Sequence, residues 1–504
     1  MASPIKAAQK EPGLQSSSPK PARRPDHLSG EVVQKMTFPF PELVFSAYSV
    51  NEMEFWNLTR DVEIGANCYL LRTKGKSIIL DSGMHPKKEG LAATPNFQLI
   101  PDKVDCIIVT HAHQDHVGTL PYLTRREPHA RVLMTEPTTR IADVMLHNSV
   151  NVMLRQKEEH DIPNYPLFTH RGVEFSRQSW QSCATGRRYD LGGERHNEVS
   201  CEFFHSGHIL GAAGVIIRAE GKTIFYTGDV NFENQTLIRG AIFPEGSVDV
   251  LVMETTRGDS ETPVGYTRAS EEERLLRAIR EAFGRGGSVT IPLFALGKTQ
   301  ELLAMFWRMR LRGLLAPVPI YIGGLSTKLS GLYDAMARDP QRAHPEMQLL
   351  QELAPYVLSG NEVHTISPRR KCIFALSSGM MTENTLSNIF ARRVLSDENQ
   401  SLFFVGYSDP ESPAGRIRAA QYGEEVVLDT KVPPVKLRCR IEEFSFSAHA
   451  SRESLLKYAI GVRPKKIILV HGDRAAIEWF ELKLYRELPE TEVIIPEPGK
   501  GISL

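Results

Sequence analysis

The sequence predicts an α/β fold with more than one lobe. Three observations carry this. A chain of 504 residues exceeds what one ordinary core accommodates. Short β-branched or aromatic runs alternate with helical stretches from about residue 40 to the end. One of those runs, DCIIVTHAH (105–113), leads straight into Asp115 and His116, so His111, His113, Asp115 and His116 crowd the end of a strand.

In chain order, residues 1–30 are rich in Pro, Ser and Lys/Arg and lack an apolar h-region. They read as part of a disordered tail spanning 1–35 rather than a signal peptide. Strands follow at SIILDSG (77–83), DCIIVTHAH, RVLMTE (131–136), GVIIRAE (214–220), KTIFYTGD (222–229) and VDVLVMET (248–255), each bounded by turn residues. A second series then begins. Ser270 and Glu273 form a capping-box pattern ahead of the stripe Leu275, Leu276, Ile279, Phe283, which Gly284 stops. SVTIPLF (288–294) leads into a helix near 298–312, and PIYI (319–322), CIFALSSG (372–379) and LFFVGY (402–407) continue the alternation. FSFSAHA (444–450), KKIILVHGD (465–473) and EVIIP (492–496) close it. No internal repeat is present.

The 60 basic and 60 acidic residues cancel, so no global polycation attracts nucleic acid, and an acidic polymer must be gripped by a local patch. No apolar run approaches the roughly 20 residues of a membrane-spanning helix. The six cysteines contain no CxxC pair, which suits reduced thiols and a cytoplasmic location.

His111 and His113 are two apart and point the same way on an extended strand. A turn after the strand brings Asp115 and His116 into the same small volume, and imidazole plus carboxylate is a ligand set that zinc accepts. LGKT (296–299) is not a phosphate loop, because Pro292 stands where the first glycine of GxxxxGK belongs. GRGG (284–287) reads as a helix stop.

HAHQDH resembles the HxHxDH motif of the metallo-β-lactamase fold. In order, Asp81 in LDSG, His208 in HSGHILGAAG and Asp229 in YTGDV match that fold's other motifs. About 220 residues separate Asp229 from His449, and they carry METTRGD (253–259), IPLFALGKTQEL (291–302), SSGMM (377–381) and GYSDPESPAGR (406–416). With FSFSAHA and ILVHGD (468–473), these resemble the β-CASP family of nucleic-acid nucleases, of the polyadenylation-factor endonuclease or ribonuclease J kind. Its motifs A, B and C fall on Glu254, His449 and His471. GYSDPESPAGR and ETTRGD depart from the patterns commoner in that family, which leaves endonucleolytic and 5′-exonucleolytic action both open.

The resemblance implies a four-layer αββα sandwich (36–257 and 445–504) interrupted by a β-CASP α/β cap (258–444). It implies two zinc ions, one on His111, His113 and His208, the other on Asp115, His116 and His471, with Asp229 bridging. Asp81 would steady a ligand histidine or the attacking water, His449 would be the general acid, and Glu254 would orient it. Histidine at motif C marks the RNA-processing branch, so the implied partner is single-stranded RNA. The alternatives are a DNA nuclease of the same architecture or a non-catalytic RNA-binding subunit; a homo-oligomer is left open. Ser445, Ser447 and a helix start after Ala448 are candidate hydroxyl and N–H donors to a phosphate. Arg369, Arg370 and Lys371, Arg392 with Arg393, and Lys328 are candidates for a strand track.

Overall fold

The computed structural model describes residues 53–504 except 102, 193–197 and 369. The expected tail, and Arg369 of the basic triplet, lie outside the described residues.

Two seven-stranded sheets pack face to face. The first runs Gly501–Ser503, Glu54–Asn57, Tyr69–Thr73, Lys76–Leu80, Cys106–Ile108, Arg131–Thr135, Trp180–Cys183. The second runs Glu492–Ile494, Lys466–Val470, Val250–Glu254, Lys222–Tyr226, Ala213–Ala219, Val199–His205, Arg188–Gly192. Strand alternation explains the layering. In Lys76–Leu80, Ile78 and Leu80 enter the core between the sheets, with Phe55, Tyr69, Phe203 and Tyr226, while Ile79 faces the outer helices. Helices Leu120–Arg126 and Glu136–His160 cover the first sheet through Leu123, Ile141 and Leu146. Helices Arg452–Val462 and Arg474–Glu487 cover the second through Leu455, Ala459, Phe480 and Leu484. The layers are therefore αββα.

Val250–Glu254 and Lys466–Val470 are parallel neighbours in the second sheet, yet the chain between them builds another lobe. Its six-stranded sheet runs Tyr356–Leu358, Ile320–Gly323, Ile373–Leu376, Val289–Pro292, Ser401–Phe404, Arg440–Glu443, with every pair parallel. Helical crossovers cover both faces, which is why its central strands are unbroken apolar runs.

Two local expectations need correction. The helix Arg268–Gly284 is capped by Thr267, not Ser270. Thr267 is the extended residue, with φ −135°, at which the chain enters the helix, and Ser270 closes the box as its third-position partner. FSFSAHA is not a strand. Phe444 and Phe446 are buried in the core, while the carbonyls of Ser445 and Phe446 accept from Tyr266 Oη and Lys298 Nζ instead of a neighbouring strand. The last strand before it is Arg440–Glu443. No described helix is long and apolar enough to cross a membrane.

The lobes are joined by buried polar contacts. Glu301, on the helix Lys298–Leu311, accepts from Thr236 N at 2.6 Å and Leu237 N at 2.8 Å, and also from Arg268. Gly211 N donates to Gln341 Oε1 at 2.7 Å. Replacing Glu301 by alanine strands two buried N–H groups and weakens the anchoring of Arg268. We expect Glu301→Ala to lower stability by about 3 kcal/mol in a chemical denaturation series.

Candidate metal centre

The expected ligands, with Asp81 and Glu254, sit at one edge of the sandwich, because the strands that deliver them run the same way. Asp81 follows Lys76–Leu80, the HAHQDH segment follows Cys106–Ile108, and His208 follows Val199–His205. Asp229 follows Lys222–Tyr226, Glu254 ends Val250–Glu254, and His471 follows Lys466–Val470. Asp115 and His116 lie in a single helical turn, Gln114–Val117, entered from extended His113. Asp81 and His471 adopt left-handed backbone, with φ 60° and 51°; such strain in non-glycine residues collects at functional sites.

Two ligand sets result, one of His111, His113, His208 and Asp229, the other of Asp115, His116 and His471; within each, the ligand atoms lie within 4.8 Å of one another. In the first, His113 Nδ1 is 3.1 Å from His111 Nε2 and 3.0 Å from His208 Nε2. In the second, His471 Nε2 is 3.3 Å from Asp115 Oδ2. Asp229 stands between them. Its Oδ2 is 3.5 Å from both His111 Nε2 and His208 Nε2, and its Oδ1 is 3.4 Å from His116 Nε2 and 3.2 Å from His471 Nδ1.

The hydrogen bonds around the rings determine which nitrogens keep a lone pair. His208 Nδ1 donates to the Ala448 carbonyl at 2.9 Å, leaving Nε2 bare. Thr110 Oγ1 gives its proton to Asp81, so at 3.1 Å it accepts from His111 Nδ1, and His111 Nε2 is bare too. His116 Nδ1 lies 2.8 Å from Asp81 Oδ2, which turns Nε2 toward Asp229. Bare nitrogens thus converge on carboxylate oxygens, and buried Asp229 Oδ1 has no hydrogen-bond donor. The donor set fits a bound cation. The electrostatics agree. Burial, reinforced by neighbouring histidines, holds His111 and His208 well below the usual histidine range, neutral as ligands must be. Burial opposes charge on His116, yet Asp229, Asp81 and Asp115 together hold it well above that range, so the pocket demands positive charge.

A third group, Asp229, Glu254 and His449, adjoins these sets. His449 Nδ1 is 3.1 Å from Glu254 Oε2, and its Nε2 looks toward Asp229 Oδ2 at 3.9 Å. Glu254 is buried and is fixed by Val230 N at 2.7 Å. Burial pushes the His449 imidazole down, but Glu254 and Asp229 outweigh it and raise it above the ordinary histidine range.

Several supporting groups escaped the sequence analysis. Tyr226 Oη donates to Asp81 at 2.7 Å, and Thr256 Oγ1 lies 2.9 Å from His471 Nδ1. Tyr226 lies three residues before Asp229 and Thr256 two after Glu254, and that adjacency is the only trace in the sequence. Lys298, rejected as part of a phosphate loop, donates to the Phe446 carbonyl, and burial pushes it down to about 7. Arg392 is paired with Asp429 at 3.0 Å, and Arg393 donates to the Val363 carbonyl at 2.7 Å. Neither is therefore an open strand contact. Arg370, Lys371 and Lys328 are exposed. Ser447 Oγ accepts from His449 N at 3.0 Å, and the next helix starts only at Arg452.

Histidines and carboxylates gathered at one edge of an αββα sandwich, beside an inserted α/β lobe, define a metal-binding sandwich protein. Three family profiles match in chain order: the metallo-beta-lactamase superfamily over residues 62–281, the Beta-Casp domain over 299–417, and the Zn-dependent metallo-hydrolase RNA specificity domain over 434–496. The chain belongs to the metallo-β-lactamase superfamily, among the zinc-dependent metallo-hydrolases that carry a β-CASP insertion. It is similar to cleavage and polyadenylation specificity factor subunit 3 of Dictyostelium discoideum, 29% identical over 88% of this chain and 56% of that protein. It is also similar to endoribonuclease YSH1 of Saccharomyces cerevisiae, 28% identical over 83% and 54%. The chain thus spans about half the length of these curated relatives. A crystal structure of a protein of unknown function from Enterococcus faecalis V583 shares the fold, with TM-score 0.51 and 16% identity, covering 90% of this chain and 100% of that one.

Asp81 reaches the ligands through His116, so its loss should loosen metal without removing a ligand. Asp81→Ala should bind zinc roughly 10–100-fold more weakly in a competition titration against a chromogenic chelator.

Proposed function

We propose that the protein is a zinc-dependent ribonuclease that hydrolyses phosphodiester bonds of single-stranded RNA in the cleft between the sandwich and the inserted lobe, using two zinc ions. The observation that carries this reading is the position of His449, with a buried carboxylate behind it and the shared ligand Asp229 in front. That is the placement a leaving-group acid requires. The RNA-specificity match and the endoribonuclease relatives support RNA as the polymer.

When bound, zinc supplies charge to neutralise the phosphoryl oxygens and makes water acidic enough to attack near neutral pH. The residues do the rest. His111, His113 and His208 would hold one ion with Asp229 Oδ2, and Asp115, His116 and His471 the other with Asp229 Oδ1. Asp81 fixes the tautomer and orientation of His116. Glu254 holds the proton on His449 Nδ1, and His449 Nε2 delivers its own proton to the departing oxygen.

The decisive experiment incubates the zinc-loaded protein with RNA labelled at its 5′ or its 3′ end and follows product lengths. Internal fragments mark endonucleolytic cutting, and single nucleotides from the 5′ end mark trimming. Intact RNA beside cleaved single-stranded DNA would refute the ribonuclease reading. Elemental analysis should find about two zinc ions per wild-type chain and at most one in Asp229→Ala; two retained in that variant would exclude a bridging carboxylate.

His449→Ala should retain zinc and lose roughly 10²–10⁴-fold in RNA cleavage rate. A general acid works below its pKa, and Glu254 raises that of His449. The rate should therefore persist above the ordinary histidine pKa and fall only at higher pH. Glu254→Gln removes the raising charge, so the descending limb of kcat/KM against pH should move to lower pH.

A further inference from the structure

Buried and part-buried cationic side chains among the described residues have partners, with one exception. Among the described residues, every buried or part-buried lysine and arginine except Arg257 has an ion pair, a hydrogen bond or an aromatic ring contact. Arg268 meets Glu301 and Glu272, Arg274 meets Glu271, and Arg452 meets Glu261 and the Trp479 ring. Part-buried Arg257 has none. Taking a guanidinium partly out of water without an acceptor costs stability, so an unpartnered one is expected where a ligand brings the acceptor.

The backbone holds Arg257 in place. Its neighbour Thr256 bonds His471 Nδ1 at 2.9 Å. The turn is closed by Gly258 N to Thr255 O at 2.9 Å and Ser260 N to Arg257 O at 3.1 Å. Gly258 lies so close to the helix Arg474–Glu487 that a Cβ there would stand 2.1 Å from the Ala476 carbonyl, and one on Gly472 would stand 2.1 Å from Thr255 Oγ1. The backbone of Arg257 is thus fixed beside the second ligand set. Its charge is felt at Lys298 and at Tyr266. These two side chains grip the Phe446 and Ser445 carbonyls, just before His449. Arg257 therefore lies near Lys298 and Arg268, on the side of the centre where the proposed acid stands, and of the three it alone has no acceptor.

We propose that Arg257 binds a backbone phosphodiester next to the one being cleaved, its planar fork taking both non-bridging oxygens, and so sets the register of the strand against His449. A fork suits a tetrahedral anion better than a point charge does. This inference rests on the polymer-cleaving reading above.

The test compares wild type, Arg257→Gln and Arg257→Lys on single-stranded RNA and single-stranded DNA of the same length. Arg257→Gln should raise KM roughly 10-fold, as expected for one lost charge-assisted bond, with wild-type zinc content and an unchanged or higher thermal midpoint. The log–log salt slope of strand binding should flatten by about 0.7. Arg257→Lys should recover the slope but only part of the KM. Placing single neutral methylphosphonate linkages along the RNA should reveal one position that weakens wild type and has no further effect on Arg257→Gln. Unchanged KM and slope in Arg257→Gln overturn the proposal. So does a fall in thermal midpoint or zinc content that tracks the KM, because the arginine would then be structural. A wild type that cuts DNA but not RNA overturns the ribonuclease reading alone, and the same comparisons on DNA then decide Arg257. A wild type that binds neither strand overturns both.

Discussion

One carboxylate, Asp229, sets the terms for the whole centre. It is buried among five imidazoles, and its two oxygens face different ligand sets. A carboxylate taken that far out of water stays ionised only if positive charge surrounds it, and histidines this crowded tolerate one another only if most stay neutral. Burial pushes His111 and His208 down while the carboxylates push His116 and His449 up. Surroundings alone thus keep His111 and His208 as lone-pair donors and His449 as a proton carrier, while the raised His116 marks where the pocket demands positive charge.

The fold makes that sorting reproducible. Strands of both sheets that point the same way end at one edge, so each functional side chain leaves from a hydrogen-bonded strand end and only short turns separate it from its neighbours. The inserted lobe is not loosely tethered. Glu301 and Gln341 reach across to the backbone of residues 211–237 in the sandwich, and Phe444 and Phe446 enter the shared core. The segment bearing His449 is therefore positioned by both lobes, with its carbonyls held by Tyr266 and Lys298 from the inserted one.

How much of this was legible in the sequence follows from the range of each interaction. HAHQDH announces itself because its ligands are adjacent and a strand end has few other uses for them. The αββα layering was legible only through the resemblance, because strands buried on both faces read as continuous apolar runs that do not say which face meets which layer. What stayed hidden was set by contacts between distant segments. Tyr226 meets Asp81 across 145 positions, Thr256 meets His471 across 215, and His208 meets the Ala448 carbonyl across 240. Such pairs leave no local periodicity. Arg392 looked available because its acceptor, Asp429, lies 37 positions away in the chain. FSFSAHA looked like a strand because alternating phenylalanine and serine mimic one, whereas its carbonyls are taken by side chains. The capping box moved by three residues because Thr267 and Ser270 satisfy the same pattern and only the backbone entry angle chooses between them.

The late return of the chain to the sandwich has a consequence for biosynthesis. Lys466–Val470 slots between Val250–Glu254 and Glu492–Ile494, and Gly501–Ser503 pairs with Glu54–Asn57. Emerging from a ribosome, the chain exposes HAHQDH, His208 and Asp229 long before His449 and His471 exist. An unfinished polypeptide can hold a first ligand set but not the acid or the second set. The complete centre is thereby withheld until synthesis has passed His471.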